Sequence, residues 1–126
     1  MVRTFRVAAI TTFLLGVLIH TLRLILGTAQ LSATILTPAV DGLFGLLMVV
    51  AAVAGWCSYR RFRGGRGGRV ALIFMLVLIT LSIPIHLRSV IVWSTQYITL
   101  FPPAYSIVEI PMFLGLAYLV ARLRFE

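Results

Sequence analysis

Four apolar runs, from about Val7 to Leu26, Thr37 to Trp56, Val70 to Val92 and Pro102 to Leu123, occupy nearly the whole chain. Each holds about 20 residues, and at ~1.5 Å of rise per residue a helix of that length crosses a ~30 Å hydrocarbon layer. Inside such a layer the backbone has no water to bond, so a spanning segment must satisfy its own N–H and C=O groups as a helix. The expected fold is therefore all-α: a polytopic four-helix transmembrane bundle, with residues 1–126 forming one domain. Composition points the same way. With 61% hydrophobic and 11% charged residues and a mean hydropathy of +1.10, the chain lies outside the range of soluble globular domains.

Charge then gives a direction. All eleven basic residues are arginines, set against Asp41, Glu109 and Glu126. Most sit at three places: Arg3 and Arg6 before the first run, Arg60, Arg61, Arg63, Arg66 and Arg69 between the second and third, and Arg122 and Arg124 after the fourth. Basic residues gather on the cytoplasmic side of membrane proteins, so this pattern predicts both termini and the 59–69 loop inside, with outer loops at 28–35 and 93–101. The expected location is a cell (inner) membrane. The Arg/Gly pattern of 59–69 superficially resembles RNA-binding segments, but the positive-inside bias already accounts for it, so anionic lipid headgroups and not nucleic acid are the expected partner. Arg88, pointing away from the face that carries His86, is expected at the lipid surface with them.

The first run could also be read as a signal peptide ending at Gly27-Thr28-Ala29-Gln30. Its length, and the presence of His20 and Arg23 within it, favour a retained span. One cysteine, Cys57, admits neither an internal disulfide nor a multi-cysteine metal site, and is expected near the inner surface. Aromatic residues at both ends, Trp93, Tyr97, Phe101 and Tyr105 outside and Trp56, Tyr59 and Phe62 inside, are expected to form interfacial belts.

The candidates for specific chemistry are the ionisable residues inside the runs: His20 and Arg23, Asp41, His86 and Arg88, and Glu109. A charge at the bilayer centre costs roughly 2.5 kcal/mol or more, so such residues pair, face the bundle interior or are used. Counting from the loops places all six in the outer third to half. His20, Arg23, Asp41, His86 and Glu109 share helix faces with small or polar residues; Thr12, Gly16, His20, Arg23 and Gly27 form one stripe, and Asp41, Gly45, Met48, Ala52 and Gly55 another. A faint two-helix repeat, His20-x-x-Arg23 with Val40-Asp41 against His86-x-Arg88 with Val108-Glu109, would put this set at a repeat interface.

Three uses follow from the set. The residues could pair to fix helix packing, making the protein a structural or accessory subunit of a larger membrane complex. They could form a ligand, ion or proton pathway, which in so thin a bundle implies a homo-oligomer. Or His20 and His86 could bind haem or a metal ion, although no Glu-x-x-His or His-x-x-x-His spacing supports it and no cofactor is expected. Enzymatic chemistry is not expected, because neither a nucleophile motif nor a phosphate loop is present.

Overall fold

The computed structural model describes residues Met1–Glu126. The chain is helical almost throughout: α1 (Val2–Leu26), α2 (Thr28–Thr34), α3 (Pro38–Ser58), α4 (Arg66–Val92) and α5 (Pro103–Arg122), with short 3-10 turns at Tyr59–Arg61 and Gln96–Leu100. There is no strand, only a single antiparallel bridge between Phe62 and Phe125. Four of the helices, α1, α3, α4 and α5, are long and apolar enough to cross a membrane. Their exteriors suit lipid: Leu43, Leu81 and Ile91 are 66%, 69% and 83% exposed.

Local chemistry sets the boundaries. Gly27, at φ +86, stops α1 in a conformation that strains any residue with a Cβ. The link expected at 28–35 then adds one short helix, α2, before Thr37 caps α3 and Pro38 takes its first turn. α1 starts at Val2 and α4 at Arg66, both earlier than the apolar periodicity marks, α4 doing so in spite of Gly67 and Gly68 in its first turn. α4 runs on through Pro84, which removes one backbone hydrogen bond near His86.

In space the helices form a row, α5, α1, α3, α4: α1 packs on both α5 and α3, and α3 packs on α4. α4 and α5 make no comparable interface with each other. Small residues let the packed pairs close. Ala8, Ala9, Ala51, Ala52, Ala54 and Gly55 are buried where α1, α3 and α4 meet, alongside Phe5, Leu72, Met75 and Leu76.

The bundle end that carries the termini is sealed. Phe62 is 1% exposed, with its ring edge-on to Phe125, and Gly64 and Gly68 leave no room beside that ring for a Cβ. The expected 59–69 loop is thus shorter and more ordered than its composition suggests, and Phe62 is a core residue and not part of an interfacial belt. Arg63 N–H donates to the Arg124 carbonyl at 2.9 Å and Glu126 N–H to the Arg61 carbonyl at 2.7 Å, pinning the C-terminal tail along this segment. Arg6 donates to the carbonyls of Val120, Ala121 and Leu123 at 3.2, 3.1 and 2.5 Å, which satisfies the open end of α5. Arg69 lies over the rings of Tyr59 and Phe62.

Candidate functional site

At the opposite end the core is polar and not filled. Two close helix approaches build it. On α3, a Cβ at Gly45 would stand 2.9 Å from Leu87 and 3.1 Å from the Cβ of His86, so only glycine allows α4 this near. On α1, a Cβ at Gly16 would stand 2.8 Å from the Phe113 ring of α5. These contacts bring His86 to Asp41 and His20 to Ser106.

Asp41 is fully buried and held by three donors. His86 Nδ1–H donates to Oδ1 at 2.7 Å, the Tyr97 hydroxyl to the same oxygen at 3.1 Å, and the Ser89 hydroxyl to Oδ2 at 2.5 Å. Burial first, then the Asp41 charge and its hydrogen bond, push the Tyr97 phenol well above its usual pKa, so it persists as a donor. A carboxylate in a dry core with three good donors is fully solvated by protein.

The other residues are arranged differently. His20 Nδ1 shares a 2.7 Å hydrogen bond with Ser106 Oγ, and its ring packs against Tyr105 and Phe113. Arg23 is 3% exposed, yet it meets neither Asp41 nor Glu109 in an ion pair. Its Nε donates to the Thr28 hydroxyl at 2.9 Å, and its Nη2 donates to the carbonyls of Ile98, at 3.0 Å, and Phe101. The sequence suggests carboxylate pairing for this arginine. Instead, three backbone and hydroxyl oxygens take it, because the 96–101 connector folds back over the end of α1. Glu109 is 6% exposed and belongs to neither ion pair of the molecule. The Tyr105 hydroxyl, one turn earlier on α5, stands within reach of its carboxylate.

All five residues, His20, Arg23, Asp41, His86 and Glu109, line one cavity of about 190 Å³ bounded by α1, α3, α4 and α5. The connector roofs it through Tyr97, Ile98 and Phe101. Tyr97 and Phe101 are half-buried against the cavity, and Tyr105 lines its edge while remaining 43% exposed, so aromatic residues expected at this surface also wall the cavity; Trp93 and Trp56 are exposed. Arg88 is exposed and apart from the cavity, as are Arg60, Arg61, Arg63, Arg66 and Arg69 at the other end.

Asp41 and Glu109, paired in the repeat suggested by the sequence, lie 68 residues apart, whereas a spacing of 66 relates cavity positions on α1 and α4. His86 lies 66 residues after His20, and the same spacing relates four further cavity positions on α1, Thr12, Phe13, Gly16 and Ile19, to Leu78, Ile79, Ser82 and Ile85 on α4. At that spacing the counterpart of Arg23 is Ser89 and not Arg88. Each histidine bonds across to the helix paired with its own, His20 to α5 and His86 to α3.

Site residues that sequence reasoning left out are Tyr97, Ser89 and Ser106, all donors or partners to the ionisable set. Ser89 carried a signal, since it lies three residues after His86 as Arg23 does after His20. Tyr97 carried none, because its role depends on how the connector folds. No group of three or more His, Cys, Asp or Glu side chains is placed to hold a metal ion, and His20 and His86 turn their Nδ1 atoms to different partners. No known protein family, curated protein or solved structure matches this chain.

Proposed function

We infer that the protein is a small membrane carrier that binds a solute in the cavity away from its termini. The observation that supports this most is convergence: five ionisable residues from four helices, His20 and Arg23 of α1, Asp41 of α3, His86 of α4 and Glu109 of α5, line one void, and of these only Asp41 and His86 bond to each other. If these residues served packing alone, they would pair and fill the space between them. Asp41 does that; Glu109 does not. The helix-packing role is therefore assigned to the Asp41, His86, Ser89 and Tyr97 group, which fixes α3 against α4 and the connector, while Glu109 and His20 remain for the ligand.

The arginine bias supports an orientation with both termini and Arg60 to Arg69 on the cytoplasmic side, so that the cavity lies in the outer half of an inner membrane. Arg60, Arg61, Arg63 and Arg66 then meet the anionic headgroups. The open row of helices, with α4 and α5 not packed together, is consistent with a homo-oligomer that covers this flank, or with a larger complex that does so.

The test is flux in proteoliposomes containing the purified protein. A proton or solute flux that falls at least ~10-fold on Glu109→Gln is the expected result, since a neutral isostere keeps the shape and removes the charge. Absence of flux in every gradient, with stable co-purification of a larger partner, would replace the carrier with the accessory-subunit reading.

A further inference from the structure

The two carboxylates of the cavity differ in what they leave unsatisfied. Asp41 has three donors and no exposed surface. Glu109 has no cationic partner. The polar side-chain atoms sealed away without a hydrogen bond belong to Arg23, Ser32 and Ser58, and Glu109 is not among them; its side chain lines the cavity with the Tyr105 hydroxyl within reach. The one permanent cation of the site is otherwise engaged: Arg23 is committed to Thr28, Ile98 and Phe101, and its remaining nitrogen, Nη1, is closed off from the void. Those acceptors are neutral, so Arg23 keeps its charge; summed with Asp41 and Glu109 as carboxylates, the lining carries a net charge of one negative, and Glu109 is the carboxylate without a charged partner.

Around that charge the wall is aromatic. Phe13 and Phe113 stack with centroids 5.9 Å apart, Phe101 and Tyr105 stack at 5.2 Å, and Phe44 closes the side next to His86. Aromatic faces attract cations, most strongly those that shed water cheaply. Ca²⁺ or Mg²⁺ would require six or more oxygen ligands, which one carboxylate in an aromatic wall does not supply, and no three His, Cys, Asp or Glu side chains converge to hold a four-coordinate ion. A cavity of about 190 Å³ is smaller than the ~300 Å³ at which drug-sized pockets begin.

Resting on the carrier reading above, we propose that the solute is a small hydrophobic organic monocation, with Glu109 as its counter-ion and Phe101, Tyr105 and Phe113 as the faces that hold it. The charge count sets the sign, the aromatic wall sets the class, and the volume sets the size. Its ammonium or comparable head lies at Glu109, and its apolar part lies along the rings toward the connector.

The probe is benzyltrimethylammonium, titrated calorimetrically into the full-length protein in lipid nanodiscs. Competitors are neopentylbenzene, its uncharged carbon isostere, and benzoate. Saturable binding of the cation is expected, weakened at least ~10-fold by Glu109→Gln and about three-fold by Phe101→Leu, with little competition from either other molecule. Should Glu109→Gln not fold, the Phe101→Leu titration and the two competitors decide alone. Competition by neopentylbenzene equal to that of the cation, or unchanged affinity in a folded Glu109→Gln variant, would overturn the cation assignment and leave the cavity as a general apolar site. Preferential benzoate binding lost in Arg23→Gln would reverse the sign of the ligand. No cation binding while flux persists in proteoliposomes would refute this proposal alone; no binding of any probe and no flux would refute the carrier reading with it.

Discussion

The two ends of this bundle are built from the same apolar helices and are finished in opposite ways. At the end that carries the termini, alanines and glycines bring the backbones together, and Phe62, Phe125 and Arg6 close what remains. At the other end, Gly16 and Gly45 also bring helices together, but what they position is polar, and a cavity stays open among His20, Arg23, Asp41, His86 and Glu109. The difference shows that close packing here does two jobs. It gives stability where the neighbours are apolar, since dense contact is what holds membrane helices to one another. It gives geometry where the neighbours are ionisable, because a carboxylate is useful in a dry site only if its surroundings are fixed.

That contrast can be broken from either side. Phe62→Ala should cost about 3–5 kcal/mol, the range for emptying a large buried aromatic site, seen as a lowered unfolding midpoint while the far cavity still binds its ligand. Asp41→Ala should cost about 3 kcal/mol, because it leaves the His86, Ser89 and Tyr97 donors buried without an acceptor. If Asp41→Ala were neutral while Glu109→Gln proved strongly destabilising, the division between packing and ligand carboxylates would be inverted.

Smaller effects sharpen the same division. Tyr97→Phe should cost about 1 kcal/mol, the net worth of one hydrogen bond. A buried phenol raised above the usual ~10 of tyrosine stays protonated as pH rises, so the alkaline tyrosinate absorbance of wild type and Tyr97→Phe should coincide up to about pH 11. The sign follows from linkage: with a folded pKa above the unfolded one, the Tyr97 contribution is full below about pH 10 and declines only above it. An extra tyrosine ionising in the wild type near pH 10 would place the ring in water. Arg63→Gln should change stability by less than about 0.5 kcal/mol, since its pair with Glu126 is 58% and 65% exposed and screened by solvent.

The four long helices and the ionisable set were legible because both depend on local facts: runs of apolar residues, and charges placed where charge is expensive. The partners were not. Arg23 carries no mark distinguishing a carboxylate partner from the Ile98 and Phe101 carbonyls, which reach it only because the connector folds over α1. Phe62, set among arginines and glycines, reads as loop until the C-terminal tail and Gly68 are brought around it. Tyr97 reads as an interfacial aromatic for the same reason, and the 66-residue register between α1 and α4 emerges only when Ser89 is seen beside Asp41.

The central claim is that one end of the core is open to a small charged molecule and the other is not, and thiol labelling in native-like vesicles measures this directly. In a Cys57→Ser background, which removes the exposed native thiol, Glu109→Cys and Met75→Cys each place one cysteine in the core, at 6% and 0% exposure of the original residue. Reaction with a small cationic methanethiosulfonate should be at least ~10-fold faster at position 109 than at position 75. Equal protection at the two positions would contradict the account, leaving the polar end as sealed as the other.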